Sequence, residues 1–285
     1  MKDLIDIFLE FEVIYGPGGS IGFPYNSQGD SVERAVAGLG SYYSGTSSID
    51  YYLKNYIKGN EVFKQIDDSF ERQFTISIVK IKDYLVNYIE YFRNIEKPDI
   101  PSLFAASTSF FRMENTFKGA LFCIKTGLTF EALSLERNIL EQIAWIYKVY
   151  NYDGDFFGLK SNKCIGQLNK LFDKAGILYG HLSDFLHSNH KIIAQYVRFE
   201  DEEGTIVMLK PDDLISSIGI LLTLVDWYFV IAEIIYFDLL EARFFINKDK
   251  SLKKNRKSIK FKKEILDSLI IAYEKDIKTT LKKEI

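Results

Sequence analysis

The run LISSIGILLTLVDWYFVIAEIIYFDLL, from Leu214 to Leu240, constrains this chain more than any other segment. It is apolar almost throughout and long enough to span a bilayer. Asp226 and Glu233 interrupt it two helical turns apart, so both carboxylates fall on one face. Charges inside a membrane span are costly and rare. The run therefore reads as a buried core helix over 211–246, opened by Pro211. No other segment resembles it, and no membrane span is expected.

A chain of 285 residues is long enough to build a shell around such a helix, as one large domain or two modest ones. Hydrophobic residues make up 47% and charged residues 26%, close to an ordinary globular protein. Met1-Lys2-Asp3 and the acidic stretch after it do not look like a signal peptide. Cys123 and Cys164, far apart and in unlike contexts, read as reduced thiols of a cytoplasmic protein.

Helical spacing dominates elsewhere. Residues 1–15 alternate apolar and acidic positions at helical spacing, and the glycine-rich stretch 16–25 reads as a plain loop. It lacks the Gly-Lys-Ser/Thr of a phosphate-cradling loop. Residues 31–58 read as broken helix. A long amphipathic helix is expected from Asn60 to Ile95, stopped by Pro98 and Pro101. Helices follow over Ser102–Lys125, Thr129–Tyr150, Ser161–Ala175 and about 177–192. The period then changes to two: Gln195–Glu200 and Thr205–Leu209 flank the turn Asp201–Gly204, which reads as a β-hairpin. A last amphipathic helix covers 261–283. The expected fold is all-α, a helical bundle with one small hairpin near 195–209. The expected organisation is an N-terminal helical region over 1–100, a helical core over 101–246, and a basic segment with a C-terminal helix over 247–285.

All three histidines, His181, His187 and His190, lie in YGHLSDFLHSNH, residues 179–190. At about 100° per residue, Ser183, His187 and His190 fall about 40°, 80° and 20° from Tyr179, one polar stripe. Leu178, Leu182 and Phe185 form a separate apolar stripe, while His181 and Asp184 face elsewhere. An imidazole on such a face can take and return a proton, and hydroxyls can orient it. The same stripe also suits a plain helix–helix contact. Asp184, His187 and His190 spread over about 120° of the wheel, with nothing to complete a metal shell. Neither a metal nor another cofactor is expected.

The helix 128–150 is nearly continuously apolar, hence central, yet it carries Arg137 and Glu141 four residues apart. Either the pair lies on an exposed edge, or it points at the His187 face. In the second case Arg137 would bind a phosphate or steady a developing negative charge.

LERNILE at 135–141, followed by YGHLSDFLH at 179–187, a hairpin and a long apolar helix, resembles a prokaryotic family in the HEPN-like superfamily. Its members show an Arg-x-x-x-Glu helix and a Tyr-x-x-Leu-Ser-x-x-x-His helix. The resemblance covers roughly residues 105–245. It implies a helical bundle that often dimerises. It also implies a metal-independent endoribonuclease of a toxin or anti-phage defence system, with His187 catalytic and Arg137 the cation near the scissile phosphate. Glu141, Tyr179 and Ser183 would shape the pocket, with His190 on the same stripe. The nuclease signature of these proteins places an Arg shortly before the His on one helix; here positions 181–183 are His181, Leu182 and Ser183. The competing reading is an inert subunit of a defence complex, sensing a nucleotide or holding a partner protein.

The net charge of −3 hides an asymmetry. Between Lys248 and Lys263 stand nine Lys or Arg and one acid, Asp249, about +8, so the remainder carries about −11. Such a run suits an arm for phosphate-rich partners, with Lys254 and Arg256 as candidate RNA or nucleotide contacts, or a solvated linker.

Overall fold

The computed structural model describes residues 4–16, 19–24, 30–57, 70–186, 197–200, 203–206 and 211–283. The fold is all-α, with two antiparallel strand pairs as the strands among the described residues. In chain order the elements are α1 (Leu4–Glu10), β1 (Phe11–Gly16), β2 (Gly19–Pro24), α2 (Asp30–Ser44) and α3 (Ile49–Tyr52). Then come α4 (Phe70–Arg93), α5 (Pro101–Lys125), α6 (Thr129–Val149), the single-turn α7 (Ile165–Leu168) and α8 (Ala175–Leu186). The chain closes with β3 (Val197–Glu200), β4 (Glu203–Ile206), α9 (Pro211–Ile235) and α10 (Lys257–Lys283).

Two compact units divide the chain. One comprises Met1–Lys80 with Ser268–Ile285, the other Ile81–Asp267. In the first unit, β1 and β2 pair from Phe11↔Pro24 to Gly16↔Gly19. The strands replace the later part of the helix read over 1–15 and the plain loop read over 16–25, while Leu4–Glu10 is helical as expected. Val13, Ile14 and Tyr15 favour a pleated surface, which the register places opposite Gly22, Ile21 and Ser20. The Ser48 hydroxyl caps α3 by accepting from Tyr51 N at 3.2 Å. Ala37, Leu53 and Ile57 form a small buried cluster with Val36 and Tyr52 against it. Phe70 stacks on Phe74, its ring also meets Tyr273, and its backbone N–H donates to Asp276 at 2.9 Å.

In the second unit, α5 and α6 form an antiparallel hairpin closed by Gly127 at φ +76°. Leu128 N donates to Cys123 O at 2.8 Å and Gly127 N to Ile124 O at 3.2 Å, a glycine-ended helix stop that satisfies the last carbonyls. Central α6 packs on α5, α8 and α9. The core is aromatic. Phe110 stacks on Tyr228 with centroids 4.2 Å apart, while the Tyr228 hydroxyl donates to Phe110 O at 2.7 Å. The Tyr236 hydroxyl donates to Ser107 Oγ at 2.9 Å, and Phe172 stacks on Trp227 at 4.7 Å. Burial pushes both tyrosine hydroxyls up, Tyr236 to about 12.

Helix α9 is long and apolar enough to cross a membrane by length and composition, and 83% of that stretch is buried inside the protein. It ends at Ile235, short of the expected 246. The chain turns after Tyr236 through a short 3-10 segment, Phe237–Leu239, and returns along α9, because Glu233 recruits it. The Glu233 carboxylate accepts from the backbone N–H groups of Phe244, Phe245 (2.8 Å) and Ile246 (2.9 Å). Burial raises its pKa, with the three amides opposing. One stage further, Arg256 reaches Asp226 through Nε at 2.6 Å and Nη2 at 2.5 Å, and Ser258 Oγ donates to the same carboxylate. The two acids of the apolar run thus hold the returning chain against α9, Glu233 at residues 244–246 and Asp226 at the basic segment.

The expected helix over Ser161–Ala175 is broken. Ser161–Cys164 is 3-10, α7 lasts one turn, and turns follow. Asn169 Oδ1 accepts from Gly176 N at 3.0 Å, so this side chain caps α8 instead of extending the preceding helix.

Candidate functional site

Arg137 and Glu141 meet because α6 puts positions four apart on one stripe. Arg137 Nε donates to Glu141 Oε1 at 3.2 Å. Its Nη2 donates to the Tyr179 hydroxyl of α8 at 3.0 Å, and its guanidinium carbon lies 5.1 Å from the Tyr179 ring centroid. The other Glu141 oxygen accepts from Ser161 Oγ at 3.3 Å. Ser161 is presented by the loop after α6, which Trp145 pins by donating Nε1 to Leu159 O at 3.1 Å. Four side chains from three segments therefore form one hydrogen-bonded row, Ser161–Glu141–Arg137–Tyr179. Arg137 and Glu141 are 22% and 18% exposed, so the row opens to solvent at one edge. The Tyr179 hydroxyl, then Glu141, hold the guanidinium more firmly charged than usual.

The structure thus joins Arg137, Glu141 and Tyr179. Ser183 lies on the same helix, but its hydroxyl donates to Tyr179 O at 2.7 Å and serves the helix itself. His181 is exposed and packs edge-on against Phe185, with centroids 4.9 Å apart. His187 and His190 lie outside the described residues, which end on this helix at Leu186. Lys254 is exposed, and the Arg256 guanidinium is committed to Asp226. Among the described residues no cluster of His, Cys, Asp and Glu could hold a metal ion.

Glu136, next to Arg137 but turned about 100° round α6 onto its apolar face, is fully buried. It accepts from Ser217 Oγ of α9 at 3.1 Å, while its Oε2 has no partner among the described residues. Burial raises its carboxyl well above the ordinary range. Its spacing from Leu133, Leu140 and Ile143 was the signal that it faces the core. Ser161 carried no such signal, since its role depends on a loop folding back.

Comparison with protein-family models, curated proteins and solved structures yields no match. The chemistry of the row must be read from its own atoms. Both Glu141 oxygens are engaged, which makes Glu141 a bracket for Arg137. Arg137 uses two of its N–H groups on described partners, and a guanidinium has five, so it retains donors for a planar anion.

Proposed function

We propose that the chain is a HEPN-like protein of a prokaryotic toxin or anti-phage defence system that cuts RNA without a metal. The observation that supports this reading is the Arg137 guanidinium, gripped across two helices by Glu141 and Tyr179 with donors to spare. The chain order of Arg-x-x-x-Glu helix, histidine helix, hairpin and long apolar helix is also the order that the resemblance implies.

In this reading the ribose 2′-OH attacks its neighbouring phosphorus. The 2′-O–P bond forms, the P–O5′ bond breaks, and a 2′,3′-cyclic phosphate and a 5′-hydroxyl result. A base takes the 2′-OH proton, an acid returns one to the 5′ oxygen, and a cation steadies the phosphorane oxygens. His187 serves proton transfer, Arg137 is the cation, Glu141 and Tyr179 hold it, and Ser183 and His190 flank the substrate. The test is cleavage of total RNA and tRNA in EDTA by wild type, His187→Ala and Arg137→Gln. Cyclic-phosphate ends lost in both variants are the expected result. Cutting that survives in His187→Ala refutes the assignment.

One observation favours a second reading, an inert nucleotide-sensing or scaffold subunit. Every described oxygen of the row that could act as a base is already accepting or donating internally. Arg137 would then recognise a phosphate that is never cut. Nucleotide binding lost in Arg137→Gln, with no cleavage by wild type, would select it.

A further inference from the structure

The basic run is folded, and its folding sorts its charges. Three of the nine cations turn inward: Arg256 to Asp226, Lys253 Nζ to Arg243 O at 2.5 Å, and Lys262 Nζ to Thr223 Oγ1 at 2.5 Å. The other six, Lys248, Lys250, Lys254, Lys257, Lys260 and Lys263, are exposed. Asp249, the one acid in the run, accepts from Ser251 N and Oγ within its own turn, and those bonds lower its pKa.

The scaffold presents these lysines at some cost to itself. Lys250 adopts φ +63°, a left-handed conformation that suits Gly or Asn. It is locked there by a turn in which Asn247 N donates to Ser251 O at 2.8 Å and Lys250 N to Asn247 O at 3.0 Å, closed by the Ile246↔Leu252 bridge. Lys257 and Lys260 occupy the first turn of α10, which has no acid, where the helix dipole already repels cations. A polyanion bound to these lysines offsets that repulsion. Phe237 and Phe244 lie beneath Lys250 and Lys257, each ring centroid 4.6 Å from the ammonium. They are covered by charge and are not offered for insertion into lipid, as an interfacial helix would offer them.

We propose that the lysine face 248–263 is a preformed seat for the phosphodiester backbone of single-stranded RNA, with Arg256 and Glu233 as its anchors and not its contacts. The choice of RNA as the polyanion rests on the reading above; the seat does not depend on cleavage. The test is fluorescence anisotropy with a labelled 2′-O-methyl oligouridine of about 20 nucleotides, which has no 2′-OH to attack and cannot be cut. Affinity is measured across salt for wild type and for Lys250→Gln/Lys254→Gln/Lys257→Gln. Each lost phosphate contact flattens the log–log salt slope by about 0.7, so three flatten it by about 2 and weaken binding about a hundredfold near 0.1 M salt. Lys250→Gly should also bind more weakly while melting at a higher temperature, a pair of signs that damage to the fold cannot produce.

Affinity and slope unchanged in the triple variant overturn the proposal. So does a wild type that ignores the oligonucleotide, or that binds phosphatidylserine vesicles in its place. Lysine-dependent binding without any cutting of natural RNA removes the nuclease reading and leaves this one standing. Cutting with lysine-independent binding does the reverse.

Discussion

Replacing Arg256 with alanine strands an acid in the core of the larger unit. Asp226 is 2% exposed at its side chain and sits midway along α9, the most buried helix. Arg256 supplies two of its described hydrogen bonds; only Ser258 Oγ remains once it is gone. Removing one member of a buried ion pair leaves an uncompensated charge and costs about 3–5 kcal/mol. That is a large share of the 5–15 kcal/mol typical of a folded domain. The reciprocal change, Asp226→Ala, is milder. Arg256 is 11% exposed, keeps a 3.1 Å bond to Lys253 O, and has a long stem that can carry its charge to water. Its cost should be about 1–3 kcal/mol. Asp226→Ala/Arg256→Ala removes both charges and should be more stable than Arg256→Ala alone. Urea unfolding followed by circular dichroism at neutral pH measures all three. If Asp226→Ala costs as much as Arg256→Ala or more, the stranded-acid argument is wrong. If both cost under about 1 kcal/mol, the pair behaves as a solvated surface bridge.

Three further outcomes follow from the same packing. Tyr228→Phe keeps the 4.2 Å stack on Phe110 and loses only the 2.7 Å bond to its carbonyl, so it should cost about 1 kcal/mol, whereas Phe110→Ala opens a cavity and should cost about 3–5 kcal/mol; denaturant midpoints rank the two. Glu136 has a folded pKa well above its ordinary 4.5, so its contribution to stability is present at low pH and is lost as the pH rises from 4.5 toward the folded value; Glu136→Gln should flatten the fall of Tm across that window, measured by thermal melts at a series of pH values. Lys250→Gly relieves a left-handed lysine at φ +63° and should stabilise by up to about 1 kcal/mol, seen as a higher Tm, with a lower Tm refuting the strain.

The long helices were legible because their evidence is local. Apolar residues at threes and fours, with Pro101 at the first turn and Gly127 after the last, place α5 and α6 within a residue or two of where they fold. The Arg137–Glu141 pair was legible for the same reason, since a spacing of four is a property of one helix. Tyr179 was suggested by its stripe, but its meeting with Arg137 needed α8 to dock beside α6. Ser161 was missed, as was the breaking of the helix around it. Both follow from a loop pinned by Trp145 and an asparagine that caps the next helix. The β1–β2 hairpin was missed because apolar–acidic alternation fits both periods over a few residues, and only the pairing partner decides between them.

The sequence by itself determined the helical class, the central place of 128–150 and of the apolar run 214–240, and the surplus of cation near the C-terminus, because periodicity and composition are sums over neighbouring residues. The tertiary structure decided where the charges go. Asp226 and Glu233 are two turns apart on one helix in either description, but only the fold shows that one holds Arg256 and Ser258 while the other caps three amides of the returning chain. A buried carboxylate must find partners, and those partners lie some ten to thirty residues away in sequence, where no local pattern points to them.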